Sequence, residues 1–227
     1  MKKQVLAILV ASALGVLTTS SANAQLGKMM GGLGGSSNSS STTASADPQE
    51  FIKSAQSAEK LMNNSLALLA VSLSSKEKAA ELEAQRKAAN AVTDSAEKQA
   101  KMTELHKSEA AAVNEAMNNS NTDANIKKMG GQQRDTLAAS AYNFMLALLK
   151  DKALLEQGQG LVSSLSSNPM NMSKVSGVKD SMSSLTNQVS TASSIAGKMP
   201  AIFTAVGVKA PASKDEKPKQ VAQVDGE

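Results

Sequence analysis

The sequence predicts an all-α fold: an antiparallel helical bundle of about four helices, with a long Ala-rich second helix, a flexible N-terminal linker and a disordered C-terminal tail. Three observations predict it. Apolar residues recur every three or four positions between residues 47 and 209, and no stretch alternates as a strand does. Helix-start signals stand in front of the periodic segments. Residues 75–118 are dominated by Ala, Glu, Lys and Gln, which are strong helix formers.

The chain of 227 residues opens with the layout of an export signal. Lys2 and Lys3 precede an apolar stretch, residues 5–17, and Ala22-Asn-Ala24 supplies small residues for cleavage before Gln25. The apolar stretch is shorter than the roughly 20 residues a membrane-spanning helix needs. No Cys follows, so lipid attachment at a cysteine is excluded. The expected location is the periplasm or beyond it, in the style of a bacterial envelope protein. Cleavage would remove two Lys and no acid, which lowers the formal charge from +4 to +2. So small an excess attracts polyanions weakly.

Residues 25–46 hold Gly-Gly-Leu-Gly-Gly and a Ser/Thr tract, too polar to offset the entropy of ordering, and read as a linker. A phosphate-cradling loop would need a strand before the glycines and a helix after them; here a Ser/Thr tract follows. The bundle is expected over 47–209. Its first helix starts at Asp47 as N-cap, with Pro48 at the first position and Glu50 completing a capping box. The stripe Ile52, Ala55, Met62, Leu66, Leu69 and Leu73 shares one face, and Glu59 interrupts it.

Ser74-Ser-Lys-Glu77 is a second capping box and opens the segment 75–118. Glu83/Lys87, Asp94/Lys98 and Glu97/Lys101 stand at i,i+4 in the favourable order. Asp94-Ser-Ala-Glu97 could instead cap a new helix, leaving one long helix or two. After Gly130-Gly131 a third helix carries Leu137, Ala141, Phe144, Leu148, Leu155, Val162 and Leu165, and Gln157-Gly-Gln-Gly160 interrupts the pattern as a kink or a close helix crossing. Asn168-Pro169 ends it. A fourth helix spaces Val178, Met182, Leu185, Val189, Ala192, Ala196 and Met199 in a coiled-coil manner, with Pro200 as its end or kink. Pro211, Pro218 and mixed charges mark 210–227 as a disordered tail.

Composition removes most chemistry. The chain has no Cys and one His, His106. Thiolate metal sites, disulfides, c-type haem attachment and His-rich zinc or di-iron sites therefore lack their ligands. No G-x-S-x-G nucleophile elbow occurs. His106 reads as a surface residue on the most polar helix. Cations are interleaved with acids and aromatics are scarce, so nucleic-acid binding is not expected. The longest apolar runs after the signal, 66–71 and 144–149, are too short to span a bilayer as helices.

The leading expectation is an exported, non-enzymatic interaction protein without cofactor or metal, in which helix faces pack on a protein partner or a second copy. The alternative is a periplasmic carrier or holdase for apolar ligands, such as lipid or unfolded segments, because the chain is rich in adaptable Met side chains. A membrane-active assembly is a weaker third. Candidate ligand or partner contacts are Met62, Leu66, Met102, Leu105, Phe144, Met145, Gly158, Gly160 and Met182.

Overall fold

The computed structural model describes residues 47–167 and 172–221. The signal-like segment 1–24 and the linker 25–46 lie outside the described residues. Among those residues the protein is all-helical, with no strand. Seven helices follow in order: α1 Pro48–Leu73, α2 Lys76–Asn90, α3 Ser95–Asn118, α4 Thr122–Lys128, α5 Gly131–Ser166, α6 Met172–Ala196 and α7 Met199–Val206.

The helices start at the expected signals or one residue from them. Asp47 caps α1 by accepting from Gln49 N at 2.9 Å, with Pro48 in the first turn. Ser75, not Ser74, caps α2 and accepts from Lys78 N at 3.3 Å. Asp94 accepts from Glu97 N at 2.8 Å and starts α3. The expected long second helix is thus two helices. A carboxylate that satisfies an orphan backbone N–H at Asp94 competes with helix continuation, and it wins here. Lys101 and Glu97 pair at 2.9 Å on the new helix.

The short helix α4 was not legible in the polar run around it. Thr122 donates its hydroxyl to Ala116 O, and Ile126 is fully buried, so one apolar side chain anchors the turn. Pro200 falls in the first turn of α7, where its missing N–H costs nothing, and Met199, Ile202, Phe203 and Val206 are buried. Gly207 ends this helix in the left-handed region at φ 75°, which favours glycine.

α5 is the central element. It packs most extensively on α1, then on α6, and also on α7. From Leu137 to Leu148 only Ala139 and Met145 are even half-buried; all the others are buried. A helix enclosed on every side cannot show a one-faced apolar stripe over that stretch. Small residues let the neighbours approach. Ser65 and Ser140 are fully buried and return their hydroxyls to Leu61 O at 2.6 Å and Thr136 O at 2.8 Å, leaving no unmade bond.

Two apolar clusters result. The larger joins Met62, Leu66 and Leu69 of α1 with Leu137–Leu148 of α5, Leu105 and Val113 of α3, Ile126 and α7. The smaller joins Phe51 and Ala55 with Leu161, Val178 and Leu185. The start of α1 thus lies beside the end of α5 and the start of α6. Ser184 of α6 donates to Glu59 across 125 residues, and Gly177 meets Ile52 at the same offset, so α1 and α6 run parallel.

The segment expected as a disordered tail is placed against α5 as far as Val221; residues 222–227 lie outside the described residues. Pro211 is buried. The Tyr142 hydroxyl donates to the Glu216 carboxylate. Asn143 donates to Lys219 O at 2.8 Å and accepts from Lys219 N at 2.7 Å. Lys150 donates to Lys214 O at 2.6 Å. Composition suggested disorder because the partners that hold this strap are on another element, more than 60 residues away in sequence.

Gln157-Gly-Gln-Gly160 does not break α5, which runs helically through it. A Cβ on Gly158 would lie 2.8 Å from Met182 and 2.9 Å from Phe51, whereas one on Gly160 would meet nothing. The first glycine permits a close crossing of α1, α5 and α6. Gly160→Ala should raise the thermal midpoint, adding up to about 1 kcal/mol of helix propensity. Gly158→Ala should lower it, because overpacking costs about 1–3 kcal/mol and exceeds the same gain. Thermal unfolding by circular dichroism separates the two; equal shifts would contradict the close crossing.

Candidate functional site

The nine residues singled out from the sequence divide between the clusters. Met62, Leu66, Leu105 and Phe144 are buried in the larger one, with Met102 and Met145 half-buried against it. Gly158 and Met182 sit at the smaller one, while Gly160 faces open space. They do not form one site. Met182 also lines a shallow open groove of about 440 Å³ between α5 and α6, with Val162 as the other apolar wall and Gln159, Ser163, Lys179, Ser183 and Thr186 around them.

Two polar features in the interior were not singled out. The first lies on the boundary of the clusters. Asp151 of α5 is fully buried and neither carboxylate oxygen has a hydrogen-bond partner. Burial raises its pKa to about 7, with the negative charge of Glu59 adding to the shift. Glu59 in turn accepts from Ser184 Oγ at 3.3 Å. Both acids occupy gaps in apolar stripes: Glu59 between Ala55 and Met62, Asp151 between Leu148 and Leu155. That matched interruption was the available signal. Asp151 can hold or release a proton within the core, and it is sealed from any substrate in this conformation.

An unfolded Asp carboxyl loses its proton near pH 4, the folded Asp151 near 7. Between those values the folded chain binds the extra proton, so stability falls as pH rises, by about 1.4 kcal/mol per unit at most. Asp151→Asn keeps the shape and removes the charge. It should raise the unfolding midpoint at pH 8 and leave it nearly unchanged at pH 5. Denaturant titrations at the two pH values measure this, and an equal effect at both would contradict the buried neutral acid.

The second feature is an ion pair that joins α2, four residues before its end, to the second half of α3. Arg86 Nη2 and Glu109 Oε1 lie 2.5 Å apart, with side chains 5% and 2% exposed. Ala67, Leu68, Val71, Leu82 and Glu83 complete a small cleft of about 90 Å³ around them. A planar guanidinium suits a buried carboxylate better than the ammonium of Lys. Beyond this clamp the hairpin changes character: from Asn90 to Glu104 no residue is buried. His106, just past that stretch, is half-buried. Arg86→Met takes the guanidinium away from the buried Glu109 side chain and should cost about 3–5 kcal/mol, whereas the double change Arg86→Met with Glu109→Leu should recover most of that loss. Chemical denaturation of the three chains tests it; a double variant as unstable as the single one would sink the clamp.

Among the described residues no group of three or more His, Asp or Glu side chains converges as metal ligands. No helix among them is long and apolar enough to cross a membrane. Comparison with protein-family models, with curated proteins and with solved structures finds no match for this chain.

Proposed function

We propose that the chain is an exported, non-enzymatic interaction protein of the bacterial envelope, docking a protein partner or a second copy through helix faces. In this reading the body is a bundle of α1, α3, α5 and α6, and the mature chain begins at Gln25 after cleavage behind Ala24. The observation that carries it is the α2–α3 hairpin. Its helices are joined by Arg86 and Glu109, and from Asn90 to Glu104 no residue is buried and only Asn90, Val92, Lys98 and Met102 are half-buried. An Ala-rich helix pair with that much exposed surface suits close packing against another helix. Ala96 and Ala100 are exposed one turn apart on α3, a face small enough for such an approach.

A second reading, as a carrier or holdase for apolar ligands, draws on the groove that Val162 and Met182 line between α5 and α6. Native mass spectrometry of the protein from its host's envelope fraction separates the two. The interaction reading expects a mass that starts at Gln25 and a protein complex or oligomer. It also expects that complex to weaken at least tenfold with Ala96→Arg and Ala100→Arg together, at unchanged thermal stability. A bound lipid on a single chain would favour the carrier. A bare full-length monomer would contradict both.

A further inference from the structure

The strap on α5 goes beyond the hairpin reading and stands independently of it. Asn143 is 1% exposed, yet its amide is spent on one backbone residue, donating to Lys219 O at 2.8 Å and accepting from Lys219 N at 2.7 Å. That is how a chain is recognised by its backbone, whatever its side chains. Beside it, Tyr142 does two things. Its hydroxyl donates to the Glu216 carboxylate, and its ring lies 4.5 Å below the Lys219 ammonium. Two helix turns on, Lys150 donates to Lys214 O at 2.6 Å. The face thus reads backbone at two points, Lys214 in a turn over Ser213–Glu216 and Lys219 in the irregular run after it, together with an acid and a cation three residues after the acid.

The strap itself is held lightly by apolar contact. Within 211–221 only Pro211 is buried, and Glu216, Pro218 and Val221 are half-buried. Gly207, at φ 75°, and the non-helical residues that follow it link the strap to α7. Its grip is therefore mostly polar and directional, and another chain of the same chemistry could make the same bonds.

The geometry points to the α5 face of Tyr142, Asn143 and Lys150 as a docking site for a non-helical segment of a partner protein that makes a turn ending in an acid and carries, three residues after that acid, a Lys or Arg. Residues 211–221 occupy the site as a resident competitor. Partner binding exchanges one non-helical segment for another and frees the strap, while α5 keeps its packing on α1 and α6.

The test uses the full chain and, as probe, a labelled synthetic peptide with the sequence of residues 209–221. Glu216→Ala with Lys219→Ala weakens the strap without touching α5. Fluorescence anisotropy should show saturable binding to this double variant, at least tenfold tighter than to the unaltered chain. Adding Tyr142→Phe, which keeps the ring and loses only the hydroxyl, or Asn143→Ala should weaken it at least tenfold. Circular dichroism checks that each chain remains folded, and Tyr142→Phe decides the matter should Asn143→Ala unfold. No saturable binding, equal binding to both chains, or indifference to Tyr142→Phe would overturn the proposal. A dimer of the unaltered chain that the peptide dissolves would assign the face to a second copy and overturn the partner form. Failure of the hairpin variants leaves this result unaffected, since the two surfaces share no residue.

Discussion

The enclosure of α5 is the constraint on which the other contacts depend. A helix that is buried on all sides from Leu137 to Leu148 needs partners in every direction. α1 and α6 cover two sides, α7 another, and the strap after Gly207 completes the cover at Tyr142 and Asn143. Three of the chain's four aromatic residues, Tyr142, Phe144 and Phe203, belong to this enclosure, and Leu and Ala at short separation supply most of the rest. Each fully buried Leu adds about 1.5–3 kcal/mol, and small neighbours let many atoms meet at once.

Polar groups inside this enclosure mark its joints. Asp151 and Glu59 lie where the larger apolar cluster gives way to the smaller, and burial keeps the Asp151 carboxyl protonated well above its ordinary range. Arg86 and Glu109 lie where α2 meets α3. Asn143 lies where helix gives way to strap. In each case a buried polar side chain specifies one arrangement, and the surrounding apolar contacts supply most of the free energy. The projecting hairpin and the exchangeable strap are the two places where the molecule offers contacts to others, in the reading proposed above.

What could be read in the sequence was whatever acts locally. Asp47 with Pro48, and Asp94 with Glu97, announce helix starts because the capping bond spans only two or three residues. The stripes of α1 and α6 follow the helical period because each helix has one buried face. α5 was read only in part: its stripe was found, but enclosure on all sides has no period to detect. The strap was misread because Glu216 and Lys219 look solvated until Tyr142 and Asn143 are brought to them. Likewise the Arg86–Glu109 pair joins residues on separate helices, and neither reveals its partner in sequence. The acids at 59 and 151 left a trace, as matched gaps in two apolar stripes.

Native-state hydrogen exchange of the full chain, read by mass spectrometry over peptides, tests the central role of α5 most directly. Amides from Leu137 to Leu148 should be the slowest in the protein, exchanging only through global unfolding, while those from Ala91 to Glu104 exchange fastest among the helices. Amides of α5 that exchange as readily as the hairpin would contradict an enclosed central helix and, with it, the account of the joints built around it.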